Sequence, residues 1–128
     1  MSTTKVRPNK IASVIVPVSD QEKACAFYAD NLGFEIRVDV PFGNGLRWIE
    51  MGLGDGATTV ALAPPPEGVP TGNRETGISL HTPDIDGYHA QLKDAGVDVD
   101  ADVSRMGDPV PPMFWLRDPE GNVLLVVG

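Results

Sequence analysis

The sequence predicts an α+β fold made of two βαβββ modules, and three observations predict it. The chain has 14 Gly and 12 Pro in 128 residues, which calls for many turns and short elements, with strands favoured over long helices. The same order of features then occurs twice: Asp20 and Asp84 open two helical stretches, Gly33 and Gly96 close them, and Asp55-Gly56 stands where Glu120-Gly121 stands. These pairs are 63 to 65 residues apart, as expected of one supersecondary unit repeated. With 41% hydrophobic residues, the chain can fill one sizeable core and is too short for two ordinary domains.

The elements follow in order. "KIASVIVPVS" is β-rich and supplies the first strand. In "SDQEKACAFYADNLG" a Ser/Asp N-cap precedes acidic residues in the first turn, Ala24, Phe27, Tyr28 and Leu32 recur at helical spacing, and Gly33 ends the helix. "FEIRVDV", "LRWIEMG" and "TTVALA" read as three strands separated by the turn-forming "PFGNG" and "LGDGA". The first module therefore covers about 10–63. Pro64 to Thr76, rich in Pro and Gly and without apolar periodicity, reads as a linker. The second module, about 77–127, starts with the strand "GISLHT". A helix follows with Ile85, Tyr88, Leu92 and Ala95 on one stripe, and then "VDVDADV", "PMFWLR" and "NVLLVV" as strands.

Composition excludes several function classes. Net charge is -8 with no cluster of Lys or Arg, so the basic footprint of a nucleic-acid binder is missing. No apolar run is long enough to span a bilayer, and no signal-peptide pattern follows the basic residues of "MSTTKVRPNK"; a cytoplasmic protein without membrane contact is expected. The single cysteine, Cys25, forms no internal disulfide and builds no cysteine zinc cage; within "KACAF" it reads as a small packed side chain.

Taken together, "VSDQEKACAFYADNLGFEIR", the Pro-rich linker, "PDIDGYHAQLKDAGVDV" and "DPEGNVLLVV" resemble the vicinal oxygen chelate superfamily of glyoxalases, bleomycin-resistance proteins and extradiol dioxygenases. The resemblance runs from about Lys10 to Val127, and "FYADNLGF" with "RDPEGN" at this distance is its most specific part. It implies that the two modules form a cup-shaped mixed sheet with the helices outside. It also implies metal ligands, typically His and Glu, in the first and last strand of each module. By position these sites fall on Ser13, Gly77, Leu125, and Ala61 or Val60. None offers a usual donor to a divalent ion, so no metal and no other cofactor is expected.

Strand parity indicates what faces the cup. A turn at Asp118 to Gly121 pairs Trp115 with Leu125 and Met113 with Val127. Trp48 and Glu50 share one face of their strand, and the cup is the cheaper place for the carboxylate. His81 follows Gly77 and Ser79 at period two and also points inward, whereas His89 is expected on a solvated helix surface. The expected ligand-binding set is Trp48, Glu50, His81, Met113, Trp115, Ser13 and Leu125, with Ala61 beside them, and no catalytic residue is identified.

Such an aromatic-walled site suits a hydrophobic or aromatic small molecule, and the chain's acidity suits a cationic one. Two functions follow. One is a metal-free binding protein resembling the bleomycin-resistance members. The alternative is an enzyme, of lyase, isomerase or dioxygenase-like type, using Glu50 or His81 as base or non-standard metal ligands. A carboxylate in an apolar cup would have its pKa raised, which the enzyme reading requires. The resemblance further implies a homodimer, whose paired modules come from one chain or from two.

Overall fold

The computed structural model describes residues 5–41 and 43–128. Phe42, in the loop read as "PFGNG", and the first four residues lie outside that range. The elements are β1 (Ser13–Pro17), α1 (Gln21–Asp30), β2 (Glu35–Pro41), β3 (Arg47–Gly52), β4 (Thr59–Ala63), β5 (Glu75–His81), α2 (Ile85–Asp94), β6 (Asp98–Val99), β7 (Met113–Arg117) and β8 (Val123–Val127). Each half is βαβββ and builds its own four-stranded sheet, in the orders β1-β4-β3-β2 and β5-β8-β7-β6. The first and last strands of each half run parallel, and the other pairs antiparallel. Ile15 lies opposite Ala61 and Ser79 opposite Leu125. The repeat therefore holds to the residue.

Local chemistry accounts for the helix ends. Asp20 accepts the Lys23 backbone N–H at 3.0 Å and Asp84 that of Gly87 at 3.0 Å, satisfying donors that an uncapped first turn would leave open. At the far end of α2 the Val97 N–H reaches the Leu92 carbonyl and the Gly96 N–H that of Lys93. This Schellman closure needs the positive φ of Gly96, +79°.

Burial alternates along β5, β7 and β8, while β4 is buried throughout. Val16, Ile49, Met51, Val60 and Leu62 in the first sheet and Phe114, Leu116, Leu124 and Val126 in the second are closed off, and they share one apolar core with Ala24 and Tyr28 of α1 and with Ile85 and Leu92 of α2. Helices thus cover one face of each sheet and leave the other open. Side-chain contacts cross between the halves. The Tyr28 hydroxyl donates to the Asp118 carboxylate at 3.0 Å, the Tyr88 hydroxyl donates to the Asn31 carbonyl at 3.0 Å, and Glu120 accepts from the Ser19 and Asp20 backbone N–H groups at 2.9 and 3.0 Å.

Three expectations are corrected. His89 is only 9% exposed: it lies on the stripe of Ile85 and Leu92, packs edge-on against Phe114 at 4.9 Å, and its Nε2 sits 2.7 Å from the Asp100 carbonyl oxygen. An imidazole can be buried there because that carbonyl partners its ring nitrogen. "VDVDADV" forms a strand only at Asp98–Val99, since the Asp100 carboxylate turns to accept the Trp115 N–H at 3.1 Å and the ladder stops. Finally, β5 begins at Glu75, inside the segment read as linker.

Candidate functional site

The open face of each sheet holds the candidate residues. On the first sheet, Ser13, Ile15 and Pro17 of β1 lie opposite Thr59, Ala61 and Ala63 of β4, and Glu50 of β3 lies opposite Ala61. Trp48, two residues before Glu50, shares its side, whereas Ile49 and Met51 point into the core. The pairing of Trp48 with Glu50 read from the sequence is present, and their side chains touch. The Trp48 indole Nε1–H donates to Glu50 Oε2 at 2.8 Å, and the Thr59 hydroxyl donates to Oε1 at 2.6 Å.

These bonds reverse the expected electrostatics of Glu50. Hydrogen bonding from Thr59 first and Trp48 second favours the carboxylate form and outweighs the opposing pull of partial burial, so its pKa lies below the usual glutamate value. The raised pKa anticipated for an apolar cup is absent because both neighbours are donors. Arg47, on the same strand as Glu50, and Arg105 are engaged elsewhere. Arg47 pairs with Glu22 and Asp39, and Arg105 with Asp86 at 2.7 Å.

Beside Trp48 lies a notch of about 260 Å³ lined by Ile15, Trp48, Ala63, Pro64, Pro65 and Pro66. Thr59, Ile15 and the three prolines were not among the expected site residues. Period-two parity from Ala61 would have found Thr59, but the prolines read only as linker.

On the second sheet, Trp115 pairs with Leu125 and Met113 with Val127, the expected register, and all four are half-buried. Ser79 and His81 of β5 lie opposite Leu125 and Val127 and are exposed. The structure thus groups Ser13, Trp48 and Glu50 on one sheet and His81, Met113, Trp115 and Leu125 on the other. The notch at Trp48 is lined by neither Trp115 nor any other residue of the second sheet. His81 and His89 do not converge, because His89 faces the core side of β7 through Phe114.

The metal that the fold family implies does not fit the residues present. Ser13, Ala61, Gly77 and Leu125 offer one hydroxyl among them, where a divalent ion needs imidazole, carboxylate or thiolate donors. Among the described residues no group of three or more His, Cys, Asp or Glu is placed to hold a metal ion. Nor is any helix among them long and apolar enough to cross a membrane.

Comparison with known proteins places this geometry. The antibiotic binding protein TnmS3 of Streptomyces sp. CB03234 is 32% identical, with a TM-score of 0.82 over 96% of this chain and 98% of that chain. A superfamily member from Sphaerobacter thermophilus DSM 20745 is 33% identical, with a TM-score of 0.84 over 94% and 97% of the two chains. The uncharacterized protein YetH of Bacillus subtilis (strain 168) is 29% identical over 122 residues, covering 91% of this chain and 96% of its own. The repeated βαβββ architecture and the match of residues 10–126 to the family model agree: the chain belongs to the Glyoxalase/Bleomycin resistance protein/Dioxygenase superfamily.

Proposed function

We propose that the protein is a metal-free binding protein for a hydrophobic or aromatic small molecule, held against the open sheet faces that carry Trp48 and Glu50 in one module and Met113, Trp115 and Leu125 in the other. The observation that supports it most is the asymmetry of the sheets. One side of each is shut by a helix, while the other keeps aromatic and aliphatic side chains open, Ile15 at 54% exposure among them. A polar outer face would be the ordinary choice for a sheet that met only water. Similarity to TnmS3, an antibiotic binding protein, favours binding over turnover.

The protein works as a homodimer in the cytoplasm on this reading, with the Trp48 face of one copy set against the Trp115 face of the other and the ligand between them. The enzyme alternative is weaker. A general base needs a pKa near the working pH, and the hydrogen bonds to Glu50 move it the other way.

Titration of the two tryptophans' fluorescence with a panel of aromatic antibiotics and metabolites tests the reading. Saturable quenching by at least one compound, without conversion of it, is expected. A folded sample that responds to none, or that purifies with stoichiometric Fe, Mn, Ni or Zn, overturns it.

A further inference from the structure

We infer that Glu50 and Trp48, with the proline-walled notch beside them, form a subsite for a planar aromatic cation, a ligand class that narrows the binding reading above and rests on it. The first observation is an unfilled carboxylate. An ionised carboxylate offers about four acceptor sites. Asp118, buried in the turn between β7 and β8, fills all of its sites with the Tyr28 hydroxyl, the Asn122 side-chain amide and the backbone N–H groups of Glu120 and Asn122. Its role is structural. Glu50 accepts two bonds, from Trp48 and Thr59, and makes no ion pair with any described residue. Its charge is held in place without a counterion among the described residues.

The second observation is shape. Alanines form the floor of this face: Ala61 lies opposite both Glu50 and Ile15, and Ala63 opposite Pro17. Of these, Ala63 lines the notch together with Trp48 and Ile15. Pro64, Pro65 and Pro66 continue the wall, and proline rings are rigid, so little conformational freedom is lost when an aromatic ring is seated against them. The third is charge complementarity. An indole face attracts a cation, the Glu50 carboxylate attracts it again, and a net charge of -8 draws cations to the molecule as a whole.

A ring carried on three head groups tests this: naphthalen-1-ylmethylammonium, naphthalen-1-ylmethanol and naphthalen-1-ylacetate. Binding is followed on the Trp48 indole N–H resonance, told from that of Trp115 by Trp115→Phe. The ammonium compound is expected to bind about tenfold more tightly than the alcohol, with the acetate weakest, and the margin should shrink as salt is raised in the unaltered protein. Glu50→Gln should reduce the ammonium compound's margin over the alcohol several-fold, leaving what the indole face and the net charge supply, while the notch still takes the ring; its amide spectrum reports whether it is folded. Equal affinities in the unaltered protein, insensitive to salt, overturn the cation subsite and leave the binding reading standing. A cation preference undiminished in folded Glu50→Gln removes Glu50 from the subsite. If none of the three moves the Trp48 resonance, the subsite is refuted, and binding elsewhere is then judged by the antibiotic titration.

Discussion

Hydrogen-bond donors at one residue and burial at another set the behaviour of single side chains in this protein. Glu50 and Tyr28 illustrate opposite outcomes. The Glu50 carboxyl, depressed by Thr59 and Trp48, contributes stability that is present above the ordinary glutamate value and lost as pH falls through its lower folded value. Tyr28 is buried, and burial first, then the Asp118 carboxylate it touches, push its phenol far above the usual value of 10.0. Burial alone raises Tyr88. A group whose folded pKa is raised stabilises the fold fully below the unfolded value, and that contribution declines as pH rises beyond it. These are the only two tyrosines. Absorbance titration of the folded protein should therefore show clearly less tyrosinate at pH 10 than the urea-unfolded chain, which is about half ionised there. Half ionisation of the folded chain at that pH would contradict the assignment. His89 was misread for a related reason: helical spacing places it on the buried stripe, but only the fold shows the Asp100 carbonyl that makes burial tolerable.

At the scale of elements, the turn between β7 and β8 carries polar contacts that join the halves. Asp118 organises its own turn and takes the Tyr28 hydroxyl from α1, while Glu120 takes the backbone N–H groups of Ser19 and Asp20 ahead of that helix. Gly121 has φ +79°, and a Cβ there would come within 2.2 Å of the Asn73 side-chain oxygen, so the turn also docks the end of the linker. Tyr28→Phe removes a donor from a buried carboxylate at nearly constant volume and should cost about 1–3 kcal/mol, seen as a lower urea midpoint at unchanged slope. A loss below a few tenths would mean that the bond contributes little. The specificity of "RDPEGN" in the sequence thus has a physical origin in the junction it makes.

For the whole molecule, the proposed function sets a second copy against the open sheet faces. Sedimentation should find a species of twice 13.6 kDa, and Leu125→Lys, which sets a charge on the half-buried face of β8, should shift it toward monomer while far-ultraviolet dichroism is retained. A monomer at micromolar concentration in the unaltered protein would defeat the dimer. The architecture at this scale was legible beforehand. The offset between Asp20 and Asp84, the two capped helices and the Trp115–Leu125 register all follow from local rules of capping, turn formation and period two, which neighbours along the chain satisfy. The site was legible only in part. Parity put Trp48 with Glu50 and Trp115 with Met113, but parity cannot say which donors meet a carboxylate across strands, or that linker prolines return beside an indole.

By itself the sequence determined the repeated module, the strand faces and the lack of metal donors at the family's ligand positions, because these depend on residue type and spacing. The tertiary structure alone decided that Glu50 is held ionised by Thr59 and Trp48, that His89 is buried, and that the two tryptophan faces lie on separate sheets. Each of those depends on contacts between residues distant in sequence or on different elements, whose energies come from the company a side chain keeps once the chain has folded.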